Sequence, residues 1–211
     1  MPSAVKICGI TTPETLDAAI GGGASHIGFN FFAPSPRHVD PERVAALTMR
    51  MPTQVRRVGV FVDPDDALVE MAVAAGRLEA LQLHKTSAAR IAEVARRTGL
   101  ETWAVVAVKT RDDLDQARDY AGSAQRILYD AKTPDGAMLP AGMGLRFDWS
   151  LLDGFRHPLP WALSGGLDAG NVGEAIRRTG APLVDVCSGV EITPGVKDVD
   201  KIAAFLKAIS R

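Results

Sequence analysis

The sequence has few cysteines, few aromatic residues and almost no net charge. Two cysteines among 211 residues, Cys8 and Cys187, are too few for a disulfide framework and lack the spacing of metal ligands. Aromatic side chains make up only 6% of the chain, so its core must be largely aliphatic. We therefore expect a globular protein of a reducing, cytoplasmic compartment.

Charge and hydropathy exclude two classes of partner. The 24 basic and 25 acidic side chains leave a net charge of -1, which gives no field of one sign to attract nucleic acid or anionic lipid. No stretch approaches the ~20 apolar residues of a membrane span, and residues 1–6 lack the basic start and apolar run of a signal peptide. We expect neither a nucleic-acid nor a membrane partner, so an anionic ligand has to be bound by local groups.

Short apolar runs alternate with helical stretches, which is typical of βαβ units around a parallel sheet. About 26 residues per run leave room for a strand, a helix of about three turns and two short loops. The count of eight favours a (βα)8 TIM barrel, formed as a single domain over residues 1–211, rather than an open doubly wound sheet. The eight runs are Ala4 to Cys8, His26 to Asn30, Val55 to Val62, Ala80 to His84, Thr102 to Val108, Arg126 to Asp130, Pro160 to Ser164 and Leu183 to Cys187.

Capping residues and glycines mark where the helices between these strands begin and end. A capping side chain followed by proline predicts three helix starts, and glycine before a strand predicts left-handed helix ends. The irregular segment Ala131 to Arg146, with Pro134, Gly136, Pro140, Gly142 and Gly144, follows the sixth strand and is long enough to indicate a functional loop. The predicted starts are Thr12-Pro13, Asp40-Pro41 and Asp63-Pro64, and the predicted ends are Gly23, Gly76, Gly99 and Gly180.

Side chains at the carboxyl ends of barrel strands meet at one mouth, and two of them could form an acid/base pair. Cys8 ends the first strand and is followed by Gly9, which permits a sharp turn and the approach of a ligand. Asp130 ends the sixth strand. The alternatives are a small buried thiol at Cys8 and a turn-capping carboxylate at Asp130.

Glycine-containing segments follow the seventh and eighth strands, where (βα)8 barrels commonly hold a phosphate with backbone N–H groups. They are Ser164 to Asp168, which we expect to open a helix, and Ser188 to Glu191. Arg37, in a loop stiffened by two prolines, could hold a carboxylate with its guanidinium or could simply be a solvated loop residue. His84 ends the fourth strand and either contacts substrate or is packed in the core.

These segments resemble the phosphoribosylanthranilate isomerase family, whose members perform an Amadori rearrangement on a cofactor-free (βα)8 barrel in tryptophan biosynthesis. The resemblance spans nearly the whole chain. It rests on Val5 to Thr11, Ile27 to Phe31 with Ser35-Pro36-Arg37, Arg57 to Val62, Gln82-Leu83-His84, Leu128 to Ala131, Phe147-Asp148-Trp149, Ser164 to Leu167, Asp185 to Glu191 and Pro194 to Asp198.

The resemblance implies an enzyme with a phosphorylated substrate, no metal and no cofactor. It implies that Cys8 is the general base, Asp130 the general acid and Arg37 the ligand of the anthranilate carboxylate. Whether the protein is a monomer or a homodimer stays open. The further residues that we expect to bind substrate are His84 and Asp185, with Gly165, Gly166, Ser188 and Gly189 at the phosphate.

A cysteine base must have its pKa lowered from about 8.5 to act at neutral pH. Lys6 is a candidate to lower it, and we expect Lys6 to pair with Asp185 on the neighbouring eighth strand, because a buried lysine needs a partner. Three features depart from the family: Cys187 replaces a serine, Lys85 replaces a glycine, and the loop from Pro140 to Arg146 lacks the usual lysine.

Two other functions are compatible with such a barrel. The histidine-pathway isomerase performs the same rearrangement on a bisphosphate, but it needs a carboxylate at the end of the first strand, where this chain has Cys8, and a glycine-rich loop in its first half. A non-catalytic metabolite-binding barrel would have no need for both Cys8 and Asp130. One phosphate and a catalytic function are therefore favoured.

Overall fold

Eight parallel strands close into a barrel, with β1 paired to both β2 and β8. The computed structural model describes residues 4–134, 136–137 and 142–209. The expected (βα)8 barrel is confirmed, and the predicted strands differ from the observed ones by one residue at most at either end. The strands are β1 Ala4–Cys8, β2 His26–Asn30, β3 Arg56–Val62, β4 Ala80–His84, β5 Glu101–Val108, β6 Arg126–Ala131, β7 Trp161–Leu163 and β8 Leu183–Val186.

Helices lie between the strands, and a short antiparallel hairpin follows β8. Two predicted helix starts are confirmed: Thr12 and Asp40 cap α1 and α2 through their side-chain oxygens, each followed by proline. The α-helices are α1 Pro13–Gly21, α2 Pro41–Thr48, α3 Asp66–Gly76, α4 Ala88–Thr98, α5 Val172–Thr179 and α6 Val199–Ile209, and the hairpin consists of β9 Glu191–Thr193 and β10 Val196–Lys197.

The predicted boundaries of α3 were wrong at both ends. Asp65, not Asp63, caps the helix, because the Asp65 carboxylate accepts the N–H of Leu68, while Asp63 lies in the turn after β3 with φ of 41°. At the other end Arg77 takes the left-handed conformation that we expected for Gly76. Gly76 instead leaves room for the side chain of Leu78, whose Cδ2 would lie 2.8 Å from a Cβ at this position.

Two of the eight units do not contain the expected α-helix of three turns. Residues Asp112–Tyr120 after β5 and Trp149–Leu152 after β6 form 3₁₀-helices. In the first of these the buried side chains are Leu114 and Ala117, a spacing of three that suits the 3₁₀ period. Four of the other seven residues in this 3₁₀-helix are aspartate, so the segment has little apolar surface with which to anchor an α-helix.

Apolar side chains fill the barrel interior near the amino ends of the strands, and a larger core lies between the barrel and its helices. Trp103 is fully buried in this interior cluster, and its indole N–H donates to Glu101 at 2.8 Å. The interior is therefore solid at one end and polar toward the carboxyl ends of the strands. The interior cluster consists of Val58, Ala80, Trp103, Leu128, Ala162 and Leu183.

Pro140 and Ala141, within the predicted functional loop, lie outside the described residues. None of the helices in the described ranges has the length and apolar character needed to span a bilayer.

Candidate active site

A cavity at the carboxyl ends of the strands brings together most of the predicted site residues. Gly189 is the exception, because it is not part of the lining. Ser164, Asn30, Gln82 and Cys187 join the predicted residues around the same space. The predicted residues that line it are Cys8, Arg37, His84, Asp130, Gly165, Gly166, Asp185 and Ser188.

Cys8 reaches the cavity from the last position of β1. Its side chain lies on the same face of the strand as Lys6, as the two-residue period of a strand requires. The thiol is buried and donates to Asn30 Oδ1 at 3.7 Å. The sulfur is therefore held at the wall of the cavity by a neighbouring strand.

The charge of Lys6 acts to lower the pKa of Cys8, as the sequence suggested, but other groups outweigh it. The neighbouring Cys187 thiol and burial raise the pKa of Cys8 well above its usual range, against the opposing charge of Lys6. Cys8 in turn lowers the pKa of Cys187 to about 6, assisted by the charges of Lys197 and Arg37. Of the two thiols, Cys187 is therefore the one whose surroundings favour a negative charge.

Asp130 reaches the cavity from β6 and is suited to carry a proton. Burial, reinforced by the charge of Asp185, raises its pKa to about 7. One carboxylate oxygen accepts the N–H of Ala131 at 2.8 Å, which fixes the orientation of the group. A carboxyl group with a pKa near neutrality can donate a proton to a substrate under ordinary conditions.

The predicted pairing of Lys6 with Asp185 is confirmed. Lys6 Nζ lies 2.8 Å from Asp185 Oδ1, and both side chains are buried. The register of β1 and β8 places the two residues directly opposite each other. Burial disfavours the charge on Lys6, but the adjacent carboxylate outweighs that effect and raises the pKa of Lys6.

Arg37 is already bound to a carboxylate of its own chain, which sequence reasoning missed. Its Nε and Nη2 donate to Glu191 Oε1 and Oε2, both at 2.8 Å, and Nη2 also donates to Gly142 O. Of the three nitrogens in the Arg37 guanidinium, Nη1 alone makes no hydrogen bond to the described residues. Arg37 therefore has one nitrogen left for a ligand, rather than the two that bidentate binding requires.

Lys197 is a second residue that the sequence did not single out. It is buried, and its Nζ lies 2.6 Å from Glu191 Oε1. Pairing of β9 with β10 places Lys197 opposite Glu191 across a turn that contains Pro194-Gly195. That proline-glycine turn is the local signal from which a hairpin, and hence this ion pair, could have been predicted.

The loop after β7 has the backbone features of an anion site. Gly165 and Gly166 have φ of 90° and 60°, which favours glycine. A Cβ at Gly165 would lie 3.0 Å from Asp130 Oδ1, so the absence of a side chain lets this loop approach Asp130 closely. Within the described ranges the N–H groups of Gly165 and Gly166 have no protein acceptor.

The segment Ser164 to Asp168 does not itself open a helix, contrary to expectation. Helix α5 begins at Val172, after a turn in which Asp168 Oδ1 accepts the N–H groups of Gly170 and Asn171. The Asn171 side chain donates to Gly166 O at 2.9 Å and thereby fixes the loop. Side-chain hydrogen bonds, more than helix geometry, hold these glycines in place.

Gly189 has a packing role in the structure. It lies in the short 3₁₀-helix Ser188–Val190, and a Cβ at this position would lie 1.9 Å from Leu167 O. Gly189 therefore lets the loop after β8 contact the loop after β7. Ser188, its neighbour, does line the cavity.

His84 is buried at the end of β4 and lies 2.9 Å from Gln82 through its Nε2. Burial, with the nearby charges of Lys6 and Lys85, lowers the pKa of His84 to about 3. The imidazole is thus neutral at all ordinary pH values. A neutral ring on the cavity wall offers packing and a hydrogen bond rather than charge.

The family model for N-(5'phosphoribosyl)anthranilate (PRA) isomerase matches residues 5–208. The chain belongs to the N-(5'-phosphoribosyl)anthranilate isomerase family. It is accordingly an enzyme and an isomerase.

Relatives in this isomerase family cover the chain almost completely. The N-(5'-phosphoribosyl)anthranilate isomerase of Zymomonas mobilis subsp. pomaceae is 54% identical over 206 residues, which are 97% of this chain and 96% of that protein. The enzyme of Paramagnetospirillum magneticum is 49% identical, covering 99% of this chain and 97% of that protein.

Solved structures of the family share the fold. The crystal structure of phosphoribosyl anthranilate isomerase from Thermotoga maritima has a TM-score of 0.88 and 35% identity, covering 99% of this chain and 98% of that one. A family structure in complex with reduced 1-(o-carboxyphenylamino)-1-deoxyribulose 5-phosphate has a TM-score of 0.85 and 33% identity, with the same coverage.

Proposed function

We propose that this chain converts N-(5'-phosphoribosyl)anthranilate into 1-(2-carboxyphenylamino)-1-deoxyribulose 5-phosphate, an Amadori rearrangement in tryptophan biosynthesis. The observation that carries the proposal is that one cavity contains a buried carboxyl group with a pKa of about 7, Asp130, and a thiol on a different strand, Cys8. Family membership and the phosphorylated compound bound in a related structure support the substrate.

Asp130 is the proposed general acid. The furanose ring opens when its ring oxygen receives a proton as the bond from that oxygen to the first sugar carbon breaks, which leaves a protonated imine between that carbon and the anthranilate nitrogen. A carboxyl group that is protonated near neutral pH supplies this proton, and its deprotonated form is left behind. Loss of the acid should cost about 10²–10⁴-fold in rate.

Cys8 is the proposed acceptor of the proton on the second sugar carbon. Removal of that proton turns the protonated imine into a neutral enolamine. The enolamine then gains a proton at the first sugar carbon and loses its enol hydroxyl proton, which gives the keto product. The acid and base come from β6 and β1, so the sugar can lie between them. Asp130 then faces the ring oxygen, and Cys8 faces the second sugar carbon. No step of this sequence transfers electrons to a cofactor.

The phosphate is proposed to bind the unpaired N–H groups of Gly165 and Gly166, with the Ser188 turn on the other side. Gly189 supports that turn by its close packing against Leu167 O. Since the chain has a net charge of -1, backbone dipoles rather than a basic surface attract the anion.

Three side chains are proposed to hold the remainder of the substrate. Arg37 Nη1 binds the anthranilate carboxylate while Glu191 fixes the other edge of the guanidinium. Asp185, held by Lys6, accepts a hydrogen bond from the sugar, and neutral His84 packs beside it. A singly bound carboxylate is a weaker contact than a bidentate one.

The test is steady-state turnover of N-(5'-phosphoribosyl)anthranilate by wild type, Cys8→Ala and Asp130→Asn. Gly21→Ala, in open space at the end of α1, serves as a matched control for substitution itself. We expect wild-type activity in the control and a loss of kcat of about 10²–10⁴-fold in each site variant. Full activity in both site variants, or none in wild type, would refute the proposal.

A further inference from the structure

The only two cysteines of the chain lie side by side at the mouth of the barrel. The last register pair of β1 and β8 joins Ile7 to Val186, so Cys8, the last residue of β1, and Cys187, the residue that follows β8, come next on the two neighbouring segments. Both residues line the cavity, and each thiol acts on the pKa of the other.

The two sulfurs differ in the number of positive and negative groups that surround them. On the Cys8 side, Lys6 is matched by Asp185 at 2.8 Å, so the two charges nearly cancel. Asn30, also in contact with Cys8, is uncharged, and Asp130 contributes a further carboxyl group across the cavity. A negative charge on Cys8 therefore has no excess of positive charge beside it.

On the Cys187 side, two cations face one carboxylate. Lys197 Nζ donates to Cys187 Sγ at 3.7 Å and to Cys187 O at 3.0 Å. Arg37 and Lys197 share the single carboxylate of Glu191, at 2.8 Å and 2.6 Å. One positive charge is left over, which favours a thiolate on Cys187 over one on Cys8.

We propose that Cys187 is a positioning residue that stores the negative charge of a two-sulfur base and accepts the proton of Cys8 during catalysis. The inference rests on the proposed function above. The resting pair holds one proton, on Cys8, and one negative charge, mainly on Cys187. Cys8 touches the substrate, whereas Cys187 acts through Cys8.

The proton transfer balances in atoms and charge. The C–H bond of the second sugar carbon breaks, and its electron pair forms the carbon–carbon double bond of the enolamine while the protonated imine nitrogen becomes neutral. The released proton forms a new S–H bond on Cys8. The original Cys8 proton moves to the neighbouring sulfur of Cys187, whose negative charge disappears.

The pKa directions of the two thiols agree with this arrangement. Two acids that interact strongly lose their protons in separate steps, the first at a lowered pKa and the second at a raised one. Cys8 is the largest cause that lowers the pKa of Cys187 to about 6, and Cys187 is the largest cause that raises the pKa of Cys8. The pair thus offers a thiolate near neutral pH, although burial disfavours a negative charge on Cys8.

The first test is titration of the free enzyme by thiolate absorbance in the ultraviolet. Each single variant leaves only one thiol in the chain, so the signal is unambiguous. We expect wild type to form one thiolate at about pH 6. Cys8→Ala and Cys187→Ala should each titrate at least about one pH unit higher, because each remaining sulfur has lost the neighbouring thiol that shares its charge. A Cys8→Ala variant that titrates as wild type does would overturn the proposal.

The second test is the pH profile of kcat/KM for wild type, Cys187→Ala and Cys187→Ser. Wild type should show an optimum between pH 6 and 7, bounded by the thiol pair and by Asp130. In both variants the optimum should rise by about one pH unit and its height should fall about tenfold, because a base whose pKa exceeds that of the acid is rarely in the active protonation state.

Serine at position 187 separates proton storage from simple packing. It keeps the size and the hydrogen bond of the side chain, but its hydroxyl does not hold a negative charge at neutral pH. A wild-type profile in Cys187→Ser would show that Cys187 is only a spacer. Equal melting temperatures of the variants confirm that folding is intact.

Failure of this inference is distinguishable from failure of the proposed function. If wild type does not convert N-(5'-phosphoribosyl)anthranilate, the proposed function fails, and thiolate titration of the free enzyme still decides whether the sulfurs share a charge. If wild type converts it and both variants of Cys187 keep the wild-type profile, the function stands and the two-sulfur base is refuted.

Discussion

Lys6 and Asp185 form a buried ion pair across β1 and β8, with Nζ 2.8 Å from Oδ1. Ser164 Oγ lies 3.3 Å from the other oxygen of Asp185 and donates to it. The pair therefore fixes a carboxylate at the cavity wall while cancelling most of the charge that Lys6 would otherwise present to Cys8. Both the stability of the barrel and the location of the thiolate depend on this relationship.

Breaking this pair on one side should destabilise the protein strongly. Asp185→Asn leaves the Lys6 ammonium buried without its counter-charge, and we expect a loss of about 3–5 kcal/mol in the free energy of unfolding, measured with urea. Lys6→Met combined with Asp185→Leu should recover most of it, since no unpaired charge remains. A loss below about 1 kcal/mol in Asp185→Asn would contradict a tightly buried pair.

The assignment of Asp130 as the acid predicts how kcat/KM falls on the basic side of its pH profile. Because Asp130 must be protonated to act and its pKa is raised to about 7 by burial and by Asp185, kcat/KM should decline as pH rises through 7. Asp130→Asn should retain only residual activity, and that activity should lack this decline. A wild-type profile that is flat from pH 6 to 9 is incompatible with Asp130 as the acid.

Arg37 and Glu191 should affect substrate binding more than turnover. Arg37→Ala removes the nitrogen proposed to bind the carboxylate, and Glu191→Gln removes a charge that holds the guanidinium in place. We expect KM to rise about tenfold or more in Arg37→Ala, with a smaller change in kcat, and a weaker effect of the same kind in Glu191→Gln. The assignment fails if Arg37→Ala lowers kcat with KM unchanged.

Gly189 should be intolerant of even one methyl group. In Gly189→Ala the new Cβ would lie 1.9 Å from Leu167 O, so the loops after β7 and β8 would have to separate. We expect weaker competitive inhibition by inorganic phosphate and a raised KM, whereas Gly21→Ala, with open space around it, should behave as wild type. Unchanged phosphate inhibition in Gly189→Ala would show that the loop contact does not shape the site.

Local patterns predicted the barrel because the features that define it are local. Runs such as Ala80 to His84 match the strand that forms, and Thr12 and Asp40 cap helices as their side chains predict. The start of α3 was predicted wrongly because two nearby residues can both cap a helix. Asp63 and Asp65 can both cap a helix, and the competition is decided by which N–H each carboxylate reaches in the folded chain.

The site was less predictable because its partners are distant in sequence. Arg37 meets Glu191 across 154 residues, and no local pattern indicates which carboxylate a loop arginine will bind. Cys187 was recognisable as a second thiol beside Cys8, but its lowered pKa depends on Lys197 and Arg37, which a hairpin and a loop bring to it. The residues at the strand ends could be predicted from the sequence, whereas the balance of positive and negative side chains around them could not.

The most direct test of the proposed function is proton nuclear magnetic resonance of N-(5'-phosphoribosyl)anthranilate incubated with the purified protein. The account predicts that the single proton on the first sugar carbon is replaced by a methylene signal and that the proton on the second carbon disappears, with conversion absent in Asp130→Asn on the same time scale. A spectrum that changes no faster with the wild-type protein than in buffer alone would contradict it.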